Sequence, residues 1–243
     1  MDRIDPRTPV LVGIGVVQQK EQDPALAREA VDLMIDAARA AGGDCGVPAL
    51  LERIERVGVP RGLWSYVDPA RTIACAVGAP AARSVIAEIG ILQQTLFGDA
   101  CQRIAAGEIQ VALVAGGEAR FRQLQAQIRG VEASETHGTG APDEVFAPEA
   151  ELVLEVEAHS GLGYMPVGYY ALLESAFRHA QGLGVEEHRD RIAALYSRFS
   201  EIAAVNPQAW KREVVPAATI RDPSPKNRML AFPYTKLHNT SWN

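Results

Sequence analysis

Short apolar runs alternate with helix-period segments over the first half of the chain. Residues 9–15 (PVLVGIG) follow a charged leader and predict a short buried strand. Asp23 and Pro24 then predict the start of a helix whose Leu26, Ala30, Met34 and Ala38 share a face, with Gly42 and Gly43 ending it. Residues 54–59 form the next strand candidate. Asp68 before Pro69 is an N-cap and first-turn pair for a helix running to Val77 and stopped by Gly78. The apolar run 85–89 closes on Gly90 and leads into a segment with Leu92, Leu96, Phe97, Ala100 and Ile104 at helical spacing, which predicts a buried helix. Gly107 supplies its stop, and residues 111–115 form a second buried strand that ends in Gly116 and Gly117. This unit is a βαβ with its turn at Gly90, and the alternation over 9–117 predicts an α/β fold, a mainly parallel sheet covered by helices.

From Arg120 the pattern changes. Residues 132–144 are rich in Ser, Thr, Gly, Pro and acids, an exposed-loop composition. Two helices are predicted over 166–181 and 186–205, the second ending in Asn206-Pro207, whereas 213–243 carries four prolines and little periodicity.

The 243 residues are 47% hydrophobic and 22% charged, enough to bury a substantial core. A net charge of -6 argues against a global field for nucleic acid or an anionic membrane. Cys45, Cys75 and Cys101 are widely spaced and odd in number, so they give neither a disulfide framework nor a metal pattern, and they read as buried, inert, reduced thiols. There is no basic leader with an apolar core and no apolar run of membrane-spanning length, so the expected location is cytoplasmic, with no membrane span.

The stretch 84–119, SVIAEIGILQQTLFGDACQRIAAGEIQVALVAGGEA, resembles the thiolase superfamily. Further runs resemble its branch of thiolase-like proteins related to sterol carrier protein thiolases: RVGVPRGLWSYVDPAR (56–71), YYALLESAFRHAQG (169–182), YSRFSEIAAVNPQAW (196–210) and PSPKNRMLAFPYTKLHNTSWN (223–243). The resemblance places the family's nucleophilic cysteine at Gly90, so the nucleophile is missing. Gly90 and Gln94 echo the glycine-containing turn and Gln with which that branch often replaces it, whereas Ile91, Leu92 and Gln93 depart from its more polar turn. The resemblance divides the chain into a first thiolase-like core, 1–119, and a loop domain with connecting tail, 120–243, the second thiolase half being absent.

The implied function is that of a thiolase-like subunit acting on CoA thioesters, related to acetyl-CoA acetyltransferases and lipid metabolism. It would catalyse acyl transfer, or cleavage or formation of a C–C bond in 3-oxoacyl- or 3-hydroxyacyl-CoA. Acyl-CoA is then the substrate and no covalent cofactor is expected. The implied partners are a second copy, as a homodimer, and a second polypeptide supplying the C-terminal half. A noncatalytic structural or CoA-thioester-binding partner of an active thiolase-like protein is the alternative.

Gly90 is either an empty nucleophile position or a residue the tight turn requires, and both readings are compatible. Cys101 lies 11 residues further along, about 16 Å down a helix, too far to take over at the turn. His179 and His188 read as solvated, and His137, in a Gly-rich loop, has either a loop role or a catalytic one. His159 and Met165 fall where the resemblance places the substrate entrance. Lys236, Asn239 and Ser241 fall on a segment beside the CoA pantetheine; the alternative is a docking tail packed through Phe232, Tyr234 and Trp242. Arg212 and Arg228 are either phosphate partners or solvated cations. Gly13 and Gly15 lack the third glycine of a dinucleotide fingerprint, Gln18 standing in its place. Gly116, Gly117 and Glu118 read as a strand-end turn, whereas the resemblance places this loop near the dimer interface and the active-site floor.

Overall fold

The computed structural model describes residues 5–138 and 140–239. The chain divides into two compact units, 1–150 and 151–243.

The first unit is α/β. Its elements are α1 (Ala30–Asp44), β1 (Arg56–Pro60), α2 (Pro69–Ala76), β2 (Arg83–Ala87), α3 (Gln93–Ala106), β3 (Ala112–Val114), α4 (Arg120–Arg129) and β4 (Glu144–Phe146). The four strands form one sheet in the order β3-β1-β2-β4, every pair parallel. Side-chain alternation fixes its two faces. Val57, Val59 and Ile86 enter the core built on α1 and α2. Val85 and Ala87 point the other way, onto Leu96 of α3. Gly58 lets α3 approach: a Cβ there would lie 3.1 Å from Leu96 Cδ2.

Asp68 caps α2 as its sequence predicts. One carboxylate oxygen accepts the Arg71 amide at 2.9 Å and the other accepts the Ser84 hydroxyl at 2.7 Å. Arg56, buried at the start of β1, donates to Asp99 of α3 at 2.6 Å and to Glu144 of β4 at 2.7 Å. Arg103 meets the same two carboxylates. This network and the β2–β4 ladder bring β4 into the sheet of the first unit, which runs to Ala150.

Several expectations are corrected. Residues 9–15 join no strand: Val10, Leu11, Val12 and Ile14 are exposed, while Gly13 and Gly15 lie against the backbone of α1. The α1 helix begins at Ala30, not at Asp23. Asp23 closes only an isolated turn, and the Gln19 side chain binds both main-chain groups of Arg28, holding the chain out of the helix. Gly42 and Gly43 lie inside α1, and Gly46, with φ +70°, follows its end. The α3 helix buries Leu96 alone and leaves Leu92 and Phe97 exposed. With that face open, Cys101 is exposed, as is Cys75; Cys45 is half-buried, its Sγ 3.1 Å from the Gly42 carbonyl.

The second unit contains α5 (Glu155–Glu157), a π-turn (Ala158–Leu162), α6 (Pro166–Ala180), α7 (Val185–Val205), α8 (Ala217–Arg221) and a hairpin of β5 (Met229–Ala231) and β6 (Tyr234–Thr235). Its core gathers Ala203, Ala209, Val215 and Ile220 with Tyr196 and Leu237. The Asn227 amide donates to the carbonyls of Thr219, Ile220 and Asp222, satisfying the C-terminal end of α8. His188 is buried instead of solvated, its Nε2 2.9 Å from Glu174 without the alignment of a hydrogen bond.

His238 is also buried, its Nδ1 accepting the Thr235 amide at 3.1 Å and its ring edge-on to Tyr196 and Tyr234. Burial, with the nearby Arg189 charge, pushes its pKa down from 6.5 to about 4. The folded imidazole therefore stays neutral where the unfolded one takes a proton. Its contribution is complete above about pH 6.5 and falls as the pH drops toward 4. Stability should decline by an amount on the order of 2 kcal/mol by about pH 4.5 from this group. Urea unfolding across pH should show that slope in the wild type and a shallower one in His238→Gln.

Candidate functional site

Parallel sheets present their carboxyl ends, and the loops that follow them, to ligands. Here the ends of β1 and β3 splay around a cleft of about 450 Å³, lined by residues 60–62, residues 114–118, Gln93 and Phe97. Apolar walls come from Pro60, Phe97, Val114 and Ala115. The ionisable side chains of this lining are Arg61 and Glu118.

Arg61 is fully engaged. Its Nε and Nη2 hold the two oxygens of Glu88 at 3.1 and 2.8 Å, and its Nη1 donates to the Tyr66 carbonyl at 2.9 Å. Its guanidinium also sits 5.2 Å from the Trp64 ring centre. The Arg61 hydrogen bonds hold the Glu88 carboxyl below its usual pKa. The cation is thereby committed to positioning Glu88, just beyond β2, and the loop 61–66. Glu118 Oε1 accepts the Leu63 amide at 2.6 Å, and Trp64 Nε1 donates to the Gly117 carbonyl at 3.1 Å. These bonds stitch the loop after β1 to the loop after β3.

A second layer holds the loop from behind. The Tyr66 hydroxyl donates to Glu29 at 2.9 Å and accepts the Val31 amide at 3.3 Å. Glu29 also accepts the Thr136 amide and hydroxyl, and Glu135 accepts the Ser65 amide and hydroxyl. Burial, opposed in part by the Val31 amide, and the Glu29 carboxylate push the Tyr66 phenol up, so it acts as a neutral donor. Tyr66→Phe should cost about 1–2 kcal/mol by chemical denaturation, because Glu29 loses a donor and the buried Val31 amide loses its acceptor.

Gly90 stands in the exposed turn between β2 and α3, where the Ile91 amide bonds the Glu88 carbonyl at 3.0 Å. Its φ of +103° is one that L side chains rarely adopt, so the turn itself requires glycine. Three residues later, Gln93 opens α3 and lines the cleft; Leu92, at the N-cap, offers no side-chain cap to the first-turn amides.

The other sequence candidates, except His137, belong to the second unit. His159 lies exposed in the π-turn, its Nδ1 2.8 Å from the Glu155 carbonyl and its ring edge-on to Tyr164 at 5.9 Å. Met165 is the exposed N-cap residue of α6. Lys236 and Asn239 share the turn after β6, where the Asn239 amide bonds the Lys236 carbonyl at 3.2 Å. Ser241 and Trp242 lie outside the described residues. His137, His179, Arg212 and Arg228 are exposed. Sequence reading passed over Arg61, Glu88 and Trp64. Their signal is the run VPRGLWSY directly after an apolar strand, an Arg and a Trp at a sheet's carboxyl end.

No protein-family model matches the chain, and no curated protein matches it. Solved structures do. A monomeric SCP2-thiolase like protein type 1 from Mycobacterium smegmatis aligns with a TM-score of 0.66 at 28% identity, over 96% of this chain and 43% of its own. The Ltp2-ChsH2(DUF35) aldolase aligns with a TM-score of 0.58 at 18% identity, over 96% of this chain and 52% of the matched chain. The fold is therefore thiolase-like, and the chain spans about half the length of these structures.

Proposed function

We propose that the chain is a thiolase-like subunit that binds CoA thioesters and works without a cysteine nucleophile. The observation that carries this reading is the cleft at the carboxyl ends of β1 and β3, opening on the N-terminus of α3 within a thiolase-like fold. Gly90 offers no nucleophilic atom, so no acyl-enzyme forms at that position. The arrangement supplies electrostatics instead. First-turn amides of α3 favour a thioester carbonyl oxygen as it gains negative charge, and apolar walls keep water from competing. Glu118 is the carboxylate available to take or return a proton beside that carbonyl. Such a site suits cleavage or formation of a C–C bond in 3-oxoacyl- or 3-hydroxyacyl-CoA, with further acid and base groups from a polypeptide that completes the fold. His159, Met165, Lys236 and Asn239 of the second unit remain proposed thioester contacts by resemblance alone, and the protein is read as cytoplasmic. Among the described residues, no helix is long and apolar enough to cross a membrane.

A second reading, a noncatalytic thioester-binding partner, is favoured by the engagement of Arg61 and by the absence of a thiol from the described cleft lining. One sample separates the two. Acetoacetyl-CoA is titrated calorimetrically into protein whose mass and assembly are known from mass spectrometry and light scattering. Saturable heat supports thioester binding, and turnover lost in Glu118→Gln supports the enzyme. Binding with no turnover in the completed assembly supports the partner role, and absence of binding overturns both.

A further inference from the structure

The two ionisable side chains of the described cleft lining, Arg61 and Glu118, differ in how their charge is met. Arg61 is cancelled from outside the lining. Glu88 takes its Nε and Nη2 at 3.1 and 2.8 Å, the Tyr66 carbonyl takes its Nη1 at 2.9 Å, and the Trp64 ring centre lies 5.2 Å from the guanidinium carbon. Glu118 has no such counter-charge. Its Oε1 accepts the Leu63 amide at 2.6 Å, and it forms no ion pair among the described residues. Arg120, the next cation along the chain, opens α4 and donates to Gln123 at 2.7 Å. Behind the same loop, the Glu135 carboxylate that accepts the Ser65 amide and hydroxyl adds a further negative charge. The cation of the lining is thus spent, and its carboxylate is not.

We propose that these groups make the cleft selective for uncharged acyl groups, and that Glu88 sets this selectivity by cancelling the cation that an acyl carboxylate would otherwise meet. An incoming carboxylate lies beside Glu118 between apolar walls, where like charges repel more strongly than in open water. To claim Arg61, it must share a guanidinium already held through two parallel bonds, and it loosens the loop 61–66 in doing so. An uncharged acyl group escapes both costs. The CoA phosphates are common to every thioester and do not enter the comparison. The inference rests on the thioester-binding part of the proposed function, with the acyl group in this cleft, and not on turnover.

The test titrates the full 243-residue protein calorimetrically at neutral pH with acetoacetyl-CoA and with malonyl-CoA, nearly isosteric thioesters that end in a methyl ketone and a carboxylate. The wild type should bind acetoacetyl-CoA at least about tenfold more tightly. Glu88→Gln keeps the shape of the side chain but leaves the Arg61 charge uncancelled, so the preference should fall by at least about fivefold. Glu118→Gln removes the repelling charge and should narrow it as well. High salt should narrow it in the wild type. A purely structural role for either residue would weaken both thioesters together and leave their ratio unchanged. Because each ratio compares two ligands on one protein, a partly unfolded variant still reports it. Equal affinities in the wild type, tighter binding of malonyl-CoA, or a ratio unchanged in both variants overturns the selectivity and leaves thioester binding standing. No saturable binding of either thioester overturns the proposed function, and the selectivity falls with it.

Discussion

Arg56→Ala should destabilise the first unit by about 3–5 kcal/mol, the cost of breaking a buried ion pair by removing one partner. Arg56 is buried at the start of β1, and it serves Asp99 on α3 and Glu144 on β4 at once. Without it, two carboxylates face each other with only the half-exposed Arg103 between them. Methionine should cost less than alanine, because it fills the volume, but the orphaned carboxylates remain. Urea unfolding at pH 7 reads the loss.

Gly62→Ala should damage the cleft more than any other single methyl. A Cβ at this position would lie 2.2 Å from Trp64 Nε1 and 2.6 Å from Glu118 Oε1, inside both bonds that join the loop after β1 to the loop after β3. One of those bonds must break, and the loop must shift. Affinity for acetoacetyl-CoA should fall at least about tenfold, equivalent to about 1.4 kcal/mol. Gly98→Ala is the control. It lies in α3 with nothing within 4 Å of the added carbon, so binding should hold and helix stability should rise by up to about 1 kcal/mol.

Sequence and structure agree where local rules decide. Asp68-Pro69 starts α2, Gly107 in the left-handed conformation ends α3, and α6 and α7 fall within a residue of their predicted limits, because caps and helical periodicity act within one turn. Disagreement begins where burial depends on distant chain. The run 9–15 has the composition of a buried strand but no neighbour to pair with among the described residues. The apolar spacing of α3 is real, yet only Leu96 finds a sheet to cover it. Three-residue β4 carries no periodicity, and Arg56 and Asp143 recruit it from a loop. The cleft was half legible. Gly116, Gly117 and Glu118 stood out as a strand-end turn and Gly90 as a turn glycine, whereas the pairing of Arg61 with Glu88 across 27 residues follows from strand order and not from spacing.

The uncharged segment 9–17 also bears on how the chain behaves at high concentration. Exposed runs of valine, leucine and isoleucine are the raw material of cross-β stacking, and no Lys, Glu or interior Pro interrupts residues 10–17 to discourage it. The isolated chain should therefore seed thioflavin-positive aggregates with time at high concentration, and Val12→Asp should delay them.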